Sequence, residues 1–144
     1  MDLGSIFSIS ASGLSAQRLR MDLIAANLAN AQSTGSSAGG PYQRQDVVLR
    51  AVSQDQPFGS FLSRTSSPSA VEVDRVVRDD SAPRQVYDPG HPHADDSGHV
   101  AMPNIEVMSE MVDLMSATRA YEANIAALDA TRRVLQAALE IGQA

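Results

Sequence analysis

The chain has no cysteine and no tryptophan among its 144 residues. Without thiols it can hold neither a disulfide framework nor a thiolate metal site, and it suits a reducing or an oxidising compartment equally. Lysine is missing too: all eleven basic residues are arginines, set against seventeen acidic ones, for a net charge of -6. That balance, with a pI near 4.8, leaves no basic footprint for nucleic acid. Aromatic residues are scarce, three Phe and three Tyr, so the bulky fillers of a thick core are wanting. Alanine and serine are plentiful instead and favour close helix contacts. No apolar run approaches the roughly 20 residues that span a bilayer. The first base, Arg18, follows the apolar start instead of preceding it, so no cleaved secretory signal is expected. "GSSAGG" is not followed by Lys-Ser or Lys-Thr, no Gly-x-Ser-x-Gly elbow occurs, and no phosphate loop or serine nucleophile is expected.

What is present falls into three parts. All seven prolines lie between Pro41 and Pro103, and proline-free ends are what long helices require. The expected division is an N-terminal helix over 1–32, a strand and loop region over 33–102, and a C-terminal helix over 103–144. In the first part Phe7, Leu14, Met21 and Leu28 recur every seven residues, with Ile24, Ala25 and Ala31 beside them. In the last, Val107, Met111, Leu114, Thr118, Tyr121, Ile125, Leu128, Arg132, Leu135 and Leu139 alternate in steps of four and three. This is the 3.5-residue period of a coiled-coil seam, broken at Thr118 and Arg132. The expected fold is mainly α with a small β region. Its long terminal helices pack as a coiled-coil-like hairpin, and its middle segment holds short antiparallel strands and loops.

Helices over 3–32 and 104–142 would run about 45 and 58 Å. The polar middle segment is too short to sheathe them. Ile6, Ile9, Met108, Val112, Met115, Val134 and Ile141 would be left on outer faces, and such residues ask for neighbours from other chains. The stretch "GSIFSISASGLSAQ" is rich in serine and glycine, poor helix formers, so the first helix is expected to order fully only when its apolar stripe docks.

In the middle, "STGSSAGGP" reads as a flexible connector. "YQRQDVVLRAV", "AVEVDRVVR" and "RQVYD" have the β-branched character of strands. Between the first two lies a polar loop carrying Phe58, Phe61 and Leu62. The stretch "VYDPGHPHADDSGHV" then gathers all three histidines, His91, His93 and His99, with Asp88, Asp95 and Asp96. Imidazole and carboxylate suit zinc or iron, which makes a small metal-binding module or metal-dependent enzyme the alternative reading. Against it, Pro89, Gly90, Pro92 and Gly98 interrupt the histidines, and Asp-Pro-Gly is turn chemistry, not a rigid ligand scaffold.

"ANLANAQSTG" closing the first helix and "SATRAYEANIAAL" within the last resemble the paired terminal segments of the bacterial flagellar rod and hook family. "VYDPGHPHADDSGHVAMPN" resembles the loop leading into the C-terminal helix of the proximal-rod branch of the basal-body rod family. Here the chain has His99 where many such relatives carry tyrosine, which weighs against ligation as the purpose of the loop. The resemblance implies a non-enzymatic building block with no metal and no cofactor, found in the periplasmic rod of the basal body. It implies export through the flagellar type III apparatus without a cleaved signal. Partners would be further copies of the chain and other rod and basal-body proteins. No nucleic acid and no membrane span are expected. The terminal helices would form an inner coiled layer, with the β segment further out.

The residues expected to carry assembly are Phe7, Leu14, Met21, Ile24, Asn27, Leu28 and Asn30 of the first helix. Those of the last are Met111, Leu114, Tyr121, Asn124, Ile125, Leu128, Leu135 and Leu139. Asn30 reads equally as a helix C-terminal residue. Asn27 and Asn124 read either as solvent-facing side chains or as buried amides that fix register.

Overall fold

A computed structural model describes residues 3–35, 39–53 and 69–142. Helix α1 spans Leu3–Ala29, strands β1 and β2 span Gln45–Ser53 and Ser69–Arg78, β3 and β4 span Arg84–Tyr87 and His99–Met102, and helix α2 spans Val107–Gly142. The loop with Phe58, Phe61 and Leu62 lies outside the described residues, as do Ser36–Ala38 of the connector. Among the described residues no helix is long and apolar enough to cross a membrane.

The serines of α1 are accommodated by bonding back onto the helix. Ser8 Oγ donates to Ser5 O at 2.9 Å and Ser12 Oγ to Ile9 O at 2.7 Å, the local bonding that otherwise competes with helix. The helix stops where Asn30 Nδ2 donates to Ala26 O at 2.9 Å, so this asparagine sits at the C-terminal end and satisfies a late carbonyl. α2 begins at Val107, three residues past the position expected from Pro103-Asn104. Pro103 and Ile105 are buried there, and these anchors hold the lead-in outside the helix.

The strands pair locally. β1 and β2 are antiparallel, with a register shift between Val48 and Leu49. β3 and β4 form a second antiparallel pair from Arg84↔Met102 to Tyr87↔His99. The histidine stretch is therefore the loop of a β-hairpin. Gly98 closes it at φ +78, where an added Cβ would meet Tyr87 Cε2 at 3.0 Å, so the left-handed turn and the close ring both require glycine.

α1 is the middle layer. It packs on α2 along one side and on β1 and β2 along the other. Ser12 Oγ accepts a hydrogen bond from Val71 N at 3.0 Å, pinning β2 to the helix. α2 packs on α1 alone among the elements, so most of its circumference is uncovered. The two helices are antiparallel: Asn27 meets Glu110, and Gly13 lies under Asn124.

Candidate assembly interface and its polar joint

Asn27 has no exposed surface and Glu110 only 1 %. The Asn27 amide uses all of its bonding capacity. Nδ2 donates to Gln45 O at 2.8 Å and to Glu110 Oε2 at 3.2 Å. Oδ1 accepts from Gln45 N at 2.9 Å and from Tyr42 OH at 3.1 Å. The side chain thus pairs with the backbone of Gln45 as a neighbouring strand would, at the point where β1 begins. Arg44 Nε donates to the other oxygen, Glu110 Oε1, at 2.6 Å. One buried cluster therefore ties the end of α1, the start of β1 and the first turn of α2.

Its electrostatics follow from that geometry. Burial works against the Arg44 charge, but its hydrogen bond and attraction to Glu110, with Asp46 beside it, leave the pKa raised. Burial first, and then the Glu110 charge, push the Tyr42 phenol above its usual value, with Arg78 partly offsetting them. A buried carboxylate is tolerable only because both oxygens are bonded.

The α1-facing side of α2 carries Glu110, Leu114, Ala117, Tyr121, Asn124, Leu128, Thr131 and Leu135, all buried or half-buried. Leu114, Tyr121, Leu128 and Leu135 are where the apolar pattern places them. The alternate positions are shifted by one residue: Met111, Thr118, Ile125, Arg132 and Leu139 are exposed. The true partners of α1 at those steps are Glu110, Ala117, Asn124 and Thr131. Small and polar residues are chosen because α1 comes close. A Cβ added at Gly13 would lie 3.2 Å from Asn124 Nδ2, and Ala16 and Ala117 are 2 % and 1 % exposed.

On α1, Ile24 is buried, while Phe7, Leu14, Met21 and Leu28 are half-buried. Thr118 Oγ1 lies 3.7 Å from Met21 Sδ. Phe7 borders an apolar groove of about 310 Å³ with Ile125 and Leu128. Asn124 is half-buried against Gly13.

The histidine loop is organised by its own backbone. Asp95 Oδ1 accepts from His99 N at 2.8 Å and from Ser97 N at 2.9 Å, and the His99 bond is the largest cause holding its carboxyl below the usual range. His91 Nδ1 accepts from His93 N at 3.1 Å, and His93 Nδ1 lies 3.0 Å from Thr34 Oγ1. The His99 ring meets Tyr87 edge-on at 5.4 Å. Among the described residues no three metal-ligating side chains converge. The Thr34–His93 contact joins the segment after α1 to the loop that leads to α2.

Tyr42, Arg44, Gln45 and Glu110 were not foreseen as site residues. One signal pointed to Glu110: it stands fourteen residues before Asn124, at seam spacing.

These are the parts of a known kind of chain. A family model described as "Flagella basal body rod protein" matches residues 7–35, and one described as "Flagellar basal body rod FlgEFG protein C-terminal" matches residues 96–141. The chain is 43% identical to the flagellar basal-body rod protein FlgC of Bacillus subtilis (strain 168), over 94% of this chain and 95% of that relative. The chain belongs to the FlgC family of flagellar basal-body rod proteins. It is 38% identical to the FlgC of Salmonella typhimurium, over 99% of this chain and 100% of the relative. For the FlgC of Aquifex aeolicus the identity is 40%, over 97% of each. The matched segments are α1 with its closing turn, and the span from the histidine loop to the end of α2. The Asn27–Glu110 bond therefore joins the two parts that the family models describe.

Proposed function

We propose that the chain is a structural subunit of the bacterial flagellar basal body, a proximal-rod component that assembles through α1 and α2 into the axial shaft. It is not an enzyme. The observation that carries the assembly reading is the uncovered side of α2, where Met108, Met111, Val112, Met115, Val134 and Leu139 stand exposed on a helix with one neighbour. In this reading the three segments are functional units, with 1–32 and 103–144 axial and 33–102 outer. Met111, Ile125 and Leu139 meet other subunits. Phe7, Leu14, Met21, Ile24, Leu28, Leu114, Tyr121, Leu128 and Leu135 hold the helix pair, and Asn27, Asn30 and Asn124 set its register. The chain leaves the cytoplasm through the flagellar type III apparatus without a cleaved signal and works in the periplasm. The serine- and glycine-rich start of α1 supports this, because a weak helix former is easily kept unfolded for passage.

The test is Leu128→Asp, which places a carboxylate in the groove beside Phe7. The variant is expected to be made and exported but to build no rod, leaving cells non-motile. Gln136→Asp, on an exposed position of the same helix, should leave motility near normal. Equal motility for both would show that this side of α2 does not carry assembly.

A further inference from the structure

Two apolar surfaces of α2 lack a partner within the chain, and they lie at opposite ends of the helix. Near its start, Met108, Met111, Val112 and Met115 are 69, 47, 58 and 55 % exposed. Their spacing of three and four makes one stripe. It points away from Glu110, Ala117 and Asn124, which face α1. At the other end the register sets Phe7 near Leu128, so α2 runs past Leu3, where α1 begins, by on the order of 12 Å. Leu135 and Leu139 continue the seam into that overhang, and Leu139 is 61 % exposed. The groove of Phe7, Ile125 and Leu128 opens just before it.

One chain cannot bring these surfaces together, because about 30 Å of helix separates Met108 from Leu128. A second copy displaced along the helix axis can, in a heterologous contact. The charges agree with that placement. Glu106 and Asp113 flank the stripe, and Asp113 holds Arg20 only at 3.9 Å. Arg132 and Arg133 flank the groove and have no ion pair among the described residues. Methionine suits the fit, since its unbranched thioether adapts to an irregular apolar groove.

We propose that the Met108–Met115 stripe of one copy seats against the apolar end of a second copy, formed by Phe7, Ile125, Leu128 and Leu139. The contact is head-to-tail, between α2 helices. It rests on the rod-subunit reading and names the partner for one side of the same helix.

The absence of cysteine provides a clean background for cross-linking. Met111→Cys and Leu139→Cys change exposed positions, and each purified full-length variant is first checked for wild-type helicity by circular dichroism. The two are then mixed at high concentration, one carrying a mass tag, and treated with a short bismaleimide. The expected product is a cross-linked pair containing one of each, with little linkage in either variant alone. No linkage in the mixture, or equal self-linkage of Met111→Cys, overturns the head-to-tail contact. Complementation of cells lacking the native chain runs in parallel. Motile cells with no mixed linkage in the purified protein would retire this contact and leave the rod-subunit reading standing. Intact rods in cells lacking the chain altogether would remove that reading, and the proposal with it.

Discussion

At the Asn27 end of the helix pair, every polar atom of a buried amide is bonded and a buried carboxylate is held by two partners. At the Phe7 end the contact is apolar, half-exposed and open along one side. The same two helices form both ends. The difference lies in what each end must recognise. Hydrogen bonds of fixed direction suit a contact that must form one way within one chain, where Asn27, Gln45 and Glu110 have to meet in a single register. Apolar surface has little directional demand and suits contact with another molecule, because leaving it exposed for a time costs less than leaving a charge unpaired.

The largest expected effect comes from breaking the polar end. Glu110→Ala leaves Arg44 and the Asn27 amide without their shared partner, and breaking such a buried pair costs about 3 to 5 kcal/mol. Glu110→Gln keeps the shape and one acceptor and should cost less, about 1 to 3 kcal/mol. Urea unfolding of the full chain followed by circular dichroism measures both, and equal losses would mean that the charge itself contributes little. Amide exchange sharpens the comparison without a mutation. Protection along α1 of the free chain is expected to fall from Asn27 toward Phe7, and a uniform profile would contradict a chain closed at one end only. The smallest effect is expected at the middle of the pair. Gly13→Ala gains up to about 1 kcal/mol of helix propensity but puts a methyl group 3.2 Å from Asn124 Nδ2. The two should nearly cancel. Adding Asn124→Ala should uncover the propensity gain as a rise in Tm, unless Asn124 already moves aside freely.

Much of the fold is legible in the sequence because proline placement and β-branched runs act locally. The proline-free ends are the two helices, and β1 to β3 lie in the stretches rich in Val. β4 was hidden, since "HVAM" is four residues long and becomes a strand only by pairing with Arg84–Tyr87. The seam was half legible for a similar reason. A pattern of large apolar residues finds Leu114, Tyr121, Leu128 and Leu135, but it cannot find Glu110, Ala117 and Asn124. Their place is set by how closely Gly13 and Ala16 let the other helix approach, and by Asn27 waiting on α1. Met111, Ile125 and Leu139 fit the same period and point elsewhere. Hydrophobicity alone does not say which neighbour a residue is meant for.

The middle position of α1 also governs the order in which the chain can fold. Its first helix is covered by strands that follow it and is completed by the last helix, and the bond from Asn27 to Glu110 spans 83 residues. Closing a flexible loop of that length costs on the order of 4 kcal/mol of chain entropy, all of it spent before the joint returns any stability. A chain with its key contacts so far apart in sequence folds late and slowly. Neither terminal half has a finished surface to rest on. The molecule has no stable partial form, and a growing or threaded chain stays loose until its final segment arrives.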